Sequence, residues 1–200
     1  MPDSVSGDAM DRLRTYVALL LRWNAAINLV GRADAGGVWD RHVADCLRLL
    51  PLVPGNATVA TDLGSGAGLP GLVLAIATGV PFALVESDHR KAAFLIEAAR
   101  ITAAPATVHC ARIEAVPFAP NFLAPAPLVT ARALAPLPRL LDYARALLAP
   151  GGIGLFPKGT GADVEIADAR RAGWRFGVEK HDDPDVPGST VLRISDLARG

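Results

Sequence analysis

Apolar positions along this chain change period several times, and each change marks an element. Leu13, Val17, Leu20, Leu21 and Ile27 fall near helical spacing within residues 9 to 29. Val38, Val43, Leu47 and Leu50 repeat that spacing in a second helix ended by Pro51. Two helices therefore precede the first strand. From Ala57 the register shortens: a β-branched run closes at Asp62-Leu63, glycines crowd residues 64 to 71, an apolar helix follows over 72–78, and 81–86 reads as a second buried strand. The alternation continues with a helix from about Arg90 to Thr102, strands at 106–110 and 128–133, a helix from Pro138 to Leu148 and a strand at 152–158. Strands at 176–181 and 189–194, flanking a Pro/Gly-rich turn, predict an antiparallel hairpin at the sheet edge. The pattern as a whole predicts an α/β fold, a mostly parallel seven-stranded sheet with helices on both faces and an N-terminal helical extension.

Composition agrees with a compact chain. Two hundred residues can bury about 70% of the surface that the unfolded chain exposes, and 51% hydrophobic against 20% charged residues excludes a disordered or coiled-coil protein. The expected organisation is one domain over 1–200, with 1–55 as the extension and 56–200 as a Rossmann-like core, acting as a monomer. Cys46 and Cys110 are too few for a disulfide framework and lack paired metal-ligand spacing, which points to a reducing cytoplasm and no metal. The first ten residues show no basic segment leading into an apolar one, and no apolar run approaches about 18 residues, so no membrane contact is expected.

Net charge is zero, with 20 basic and 20 acidic residues, but the distribution is uneven. Residues 90 to 145 hold seven basic side chains against three acidic ones, whereas 51 to 89 contain no Lys or Arg. Seventeen of the 20 basic residues are Arg, which suits planar recognition of phosphate and base edges and which GC-rich coding would equally produce.

The chemistry concentrates at Asp62-Leu63-Gly64-Ser65-Gly66-Ala67-Gly68-Leu69-Pro70-Gly71. A strand that runs through a glycine-rich turn into a helix lets a cofactor approach bare backbone at the helix N-terminus. Gly66 to Gly71 also fits the dinucleotide fingerprint G-x-G-x-x-G. Asp62 separates the two readings. A carboxylate two residues before the first glycine, in a stretch without cations, would repel a pyrophosphate, whereas the ammonium and sulfonium of S-adenosylmethionine would be attracted. Glu86, closing the second strand, can accept both hydroxyls of a bound ribose, which either cofactor carries. Asp62, Gly64, Gly66 and Glu86 together read as the cofactor site of a class I S-adenosylmethionine-dependent methyltransferase.

A closer likeness follows from Trp23-Asn24 with Asn28-Leu29, Arg41-His42 with Asp45, the loop extended to Gly-Leu-Pro-Gly, Glu86-Ser87 followed by Lys91 and Phe94-Leu95, Arg132-Ala133 and Lys158-Gly159. In order and spacing, from about residue 20 to 160, these resemble the RsmG (GidB) family. The resemblance implies methylation of guanine N7 in 16S ribosomal RNA, on the naked RNA or the small ribosomal subunit, with S-adenosylmethionine as donor and no DNA partner. It also implies cofactor contacts at Gly64, Leu69, Ile113, Glu114 and Arg132. The segment from Cys110 to Glu114 suits adenine recognition, with Glu114 or a backbone carbonyl accepting from the exocyclic amine and Ile113 covering the ring.

Guanine N7 presents an unprotonated lone pair, so the reaction needs alignment and charge handling rather than a general base. Arg132 and Lys158, at predicted carboxyl ends of strands, are the expected catalytic and RNA-holding pair, with Arg41 and His42 as further RNA contacts. His42 and Asp45 lie three apart on one helical face, which allows either a His–Asp hydrogen bond docking that helix or a catalytic role. Trp23 and Asn24 read as packing and capping of the added helices or as a base-stacking platform. Two departures from the family stand out. Ala126-Pro127 replaces a usual Phe-Asp before the fourth strand, so any contact of that Asp is missing or supplied by another group. Cys46 replaces a common Ser, a small-residue exchange.

Rival functions fit parts of the same pattern. A nicotinamide-dependent oxidoreductase would need a Tyr/Lys or His near the cofactor, and neither Tyr16 nor Tyr143 is followed four residues later by Lys. A methyltransferase with another acceptor, and a ribosome-assembly module with a vestigial cofactor fold, are the others.

Overall fold

A computed structural model describes residues 5–31, 37–118 and 124–200. Helix α1 spans Gly7–Asn24, started by Ser6, whose hydroxyl accepts from the Ala9 amide at 3.2 Å. A π-helical turn, Trp39–Val43, runs into the short helix α2, Ala44–Leu47. The core then alternates β1 Ala60–Leu63, α3 Gly71–Thr78, β2 Phe82–Glu86, α4 His89–Ile101, β3 Ala106–Cys110, β4 Ala126–Ala131, α5 Leu137–Arg145 and β5 Leu148–Lys158. Helix α6, Ala162–Arg171, follows, and β6 Trp174–Asp182 and β7 Thr190–Arg199 close the chain. Expected elements lie within a few residues of those observed, except α6, for which the sequence pattern gave no expectation. Its buried Ala162, Ile166 and Ala169 fall at helical spacing, but two of the three are alanines and carry little amphipathic signal.

The seven strands form one sheet in the order β3-β2-β1-β4-β5-β7-β6. β1 pairs in parallel with both β2 and β4, and β7 lies antiparallel between β5 and β6. The expected C-terminal hairpin is therefore present, with its second strand inserted and its first on the edge. Strand order reverses between β1 and β4, and ligands of open α/β sheets bind at the carboxyl ends of strands beside such a switch point.

Side chains from alternating strand positions enter two cores. Ala60, Leu84, Leu128 and Leu155 pack with α1, α2, α3 and α4, whereas Leu63, Val85, Val129 and Phe156 pack with α5, α6 and the hairpin. The N-terminal helices thus share the core of α3 and α4. Trp23 meets Phe94 edge-on at 5.8 Å, and Asn24 Oδ1 accepts from the amides of Leu29 and Val30 at 2.8 and 3.0 Å. Both residues pack and cap. Ala126 and Pro127 begin β4 at the end opposite Arg132, about 16–20 Å away at about 3.3 Å per residue, so the departure from Phe-Asp lies far from the carboxyl-edge site. Among the described residues, no helix is long and apolar enough to cross a membrane.

Candidate functional site

The turn between β1 and α3 is laced to its surroundings by hydrogen bonds. The Ser65 amide donates to Val85 O at 3.0 Å and the Gly66 amide to Glu86 Oε2 at 2.8 Å, while the Tyr16 hydroxyl donates to Ala67 O at 2.7 Å from helix α1. Gly66 and Gly68 carry φ of +55° and +90°. At Gly68 a Cβ would sit 2.8 Å from Leu72 Cβ, so packing excludes a side chain there, whereas at Gly66 a Cβ would meet nothing closer than Gly64 O at 3.7 Å.

Glu86 closes β2 with 8% of its surface exposed, its two oxygens accepting from the Gly66 and Asp88 amides at 2.8 Å each. Those bonds fix the carboxylate and occupy one lone pair on each oxygen. Asp62 is placed differently. It is fully buried on the α3 face of β1, where its register partner Thr130 donates to Oδ1 at 2.6 Å, and it lines none of the cavities around the loop. Its Oδ2 lies beside Gly71, the first residue of α3. Burial pushes its carboxyl up to about 6, against the pull of the Thr130 bond.

A cavity of about 380 Å³ opens over Gly64, Gly66, Glu86, Ile113, Glu114 and Ala133. Its surround is not free of cations: Lys91 on α4, Arg112 after β3 and Arg139 on α5 all line it. The cation-poor stretch read in the sequence holds only for residues 51–89, and elements remote in sequence bring positive charge to the cavity. That premise for choosing between cofactors therefore fails. Glu114 on the rim accepts from the Tyr143 hydroxyl at 2.8 Å and from Arg139 at 3.3 Å. Its own amide and Tyr143 hold its carboxyl below the usual range.

Arg132 follows β4. It donates to His42 Nδ1 at 2.7 Å, pairs with Asp45 Oδ2 at 3.2 Å and reaches Cys46 Sγ at 3.8 Å. Because a guanidinium only donates, His42 Nδ1 is the acceptor. His42 and Asp45 thus converge on Arg132. Burial pushes the Cys46 thiol up to about 12, which keeps it neutral beside the cation. Arg132 lines two further cavities, one of about 200 Å³ with Leu69 and His42, the other of about 480 Å³ with Asp45, Lys158 and Glu165. The larger shares Ala133, Leu134 and Ala135 with the Glu86 cavity. Ala133 itself sits at φ +51°, an uncommon conformation for a residue with a side chain. Lys158 Nζ donates to Ala135 O at 3.0 Å and to Glu165 Oε2 at 2.7 Å. Arg41 is exposed on the π-helical turn and lines none of these cavities.

The sequence model of GidB, described as rRNA small subunit methyltransferase G, matches residues 9–183. The chain belongs to the GidB family. The ribosomal RNA small subunit methyltransferase G of Acidiphilium cryptum (strain JF-5) is 52% identical over 198 residues, covering 98% of this chain and 88% of that protein. Its counterpart in Gluconobacter oxydans (strain 621H) is 47% identical over 196 residues, 98% of each. An O-methyltransferase from Bacillus cereus in complex with SAH matches 91% of each chain at TM-score 0.60 and 12% identity, and the ribosomal protein L11 methylase of Lactobacillus delbrueckii subsp. bulgaricus matches 75% of each at 0.58 and 14%. These structures carry the fold alone, the Rossmann-like fold of class I methyltransferases.

In this GidB chain the Glu86 cavity suits S-adenosylmethionine. Bare backbone at Gly64 and Gly66, a fixed carboxylate and an aliphatic wall at Ile113 match the needs of an amino-acid end, a ribose and a purine face. Thr130 and Glu165 are not singled out from the sequence, and Tyr16 and Tyr143 enter there only as tyrosines that lack an oxidoreductase's lysine. Thr130 alone had a readable signal, a polar residue in a buried strand; the others reach the site from helices whose packing no local pattern encodes.

Proposed function

We propose that this GidB methyltransferase methylates N7 of a guanine in 16S ribosomal RNA, acting in the cytoplasm as a monomer on RNA or on the assembling small subunit, with no DNA or membrane partner. S-adenosylmethionine, when bound, supplies a methyl group already activated on a positively charged sulfur. The observation that carries the reading is that a cofactor-sized cavity and a second cavity lined by Arg132 and Lys158 adjoin, sharing Ala133, Leu134 and Ala135.

Glu86 would accept from the ribose hydroxyls, Ile113 would cover the adenine face and Glu114 its amino edge, with Gly64, Gly66 and Leu69 forming the backbone side. Asp62 would act from behind the loop, its charge reaching the cofactor's cationic end through Gly64 to Gly66 rather than by contact. Arg132 and Lys158 would orient the extruded guanine or its phosphates, with His42 behind Arg132 and Arg41 meeting RNA on the outer face. No side chain is needed as a base, since N7 carries no proton; alignment of N7, methyl carbon and sulfur where the two cavities adjoin does the work.

The test is to map N7-methylguanine in ribosomal RNA from cells with and without this gene. Loss of one modified guanine, restored by the purified protein on small subunits or free RNA, is the expected result. An unchanged map would overturn the reading.

A further inference from the structure

We propose that Glu165 is the residue that selects guanine, by accepting hydrogen bonds from its Watson–Crick edge in the Arg132–Lys158 cavity. The inference rests on the function proposed above and adds to it how the base is told from adenine.

Glu165 lies on α6, and one of its oxygens does all its visible work: Oε2 accepts from the Leu137 amide at 2.6 Å and from Lys158 Nζ at 2.7 Å. The other oxygen, Oε1, accepts from no described residue, and Glu165 lines the cavity. Lys158 has the complementary remainder. Two of its three ammonium protons go to Ala135 O and Glu165, which leaves one, and its side chain is only 10% exposed. The pair therefore presents one fixed donor beside one fixed acceptor.

Guanine offers the matching sequence, an O6 acceptor beside N1–H and N2 amine donors, whereas adenine offers an amine donor beside an unprotonated ring nitrogen. With O6 on Lys158, the N1–H and N2 donors fall to Glu165 Oε1. Adenine in the same pose would set a donor against the ammonium and a lone pair against the carboxylate. N7 adjoins O6 on the edge away from N1, so this pose leaves it free of both side chains. The Leu137 bond sits at the start of α5 and the Lys158 bond ties two residues of the cavity lining together, so the carboxylate is held rigidly enough to discriminate.

Glu165→Gln separates reading from support. Glutamine keeps one oxygen, which can serve Leu137 and Lys158 as Oε2 does, but replaces Oε1 by an amide donor that opposes N1–H and the N2 amine. Small subunits from cells lacking the gene, assayed with labelled S-adenosylmethionine, should show kcat/KM reduced about tenfold or more in Glu165→Gln, with cofactor affinity by calorimetry and thermal midpoint unchanged. Undiminished kcat/KM would overturn the proposal. A second measurement needs no variant: small subunits reconstituted with inosine at the acceptor position keep N7, O6 and N1–H and lack only the N2 amine. The wild-type protein should turn these over about tenfold or more slowly than the guanosine control. Equal turnover would overturn the role of Glu165, whereas no product on the guanosine control would instead overturn the function proposed above.

Discussion

Arg132 donates to Nδ1 of His42 across 2.7 Å, joining residues 90 apart in sequence. The bond ties the helical extension to the carboxyl end of β4, and the Asp45 carboxylate on the same extension holds the other side of the guanidinium at 3.2 Å. An arginine restrained by two partners stands at the shared boundary of two cavities. The extension therefore positions a side chain of the core.

Arg132→Ala should reduce methylation by on the order of 10²-fold or more while the chain stays folded, because alignment is what the reaction requires. Arg132→Lys should not restore it, since an ammonium lacks the fork that serves His42 and Asp45 together. Single-turnover assays with circular dichroism check both. Full activity of purified Arg132→Ala would remove the residue from the site.

Asp62 gives a pH dependence of stability with a definite sign. Its folded-state pKa, about 6, is raised above the unfolded value of about 4, so the folded chain binds the proton more tightly. The stability it contributes is complete below about pH 4 and is lost as pH rises through 6, a change of about 2–3 kcal/mol. Asp62→Asn should lack that slope. Denaturant titrations of both proteins between pH 4 and 8 measure the difference, and parallel curves would show that the buried carboxyl does not titrate in this window.

Glu86→Ala removes the acceptor for the Gly66 and Asp88 amides as well as the proposed ribose contact. Cofactor affinity should fall about 10- to 100-fold, the scale of lost hydrogen bonds to a charged group. Isothermal calorimetry with S-adenosylmethionine reads it directly; an unchanged Kd would leave the ribose with another partner.

Tyr16→Phe deletes the buried hydroxyl that holds Ala67 O at 2.7 Å. Stability should drop about 1–3 kcal/mol, because the carbonyl is left without its donor. Cofactor affinity should weaken alongside, since the bond braces the glycine loop. Unfolding curves and calorimetry on the same samples test the coupling.

The amino-acid sequence by itself determined the alternation of strands and helices, the glycine turn, Glu86 at the end of β2, and Arg132 and Lys158 at carboxyl ends. Each of these follows from local period or from residue types that only one backbone geometry favours. Tertiary structure decided the rest. It brought His42 and Asp45 onto Arg132 and turned Asp62 under α3 against Thr130. It also delivered Lys91, Arg112 and Arg139 to a cavity whose own stretch of chain carries no cation, and set Glu165 beside Lys158 from a helix with no strong apolar stripe. Which side chains meet across the sheet edge depends on strand order and helix packing. Those are settled by burial of two cores over the whole chain, and no window of a few residues contains them.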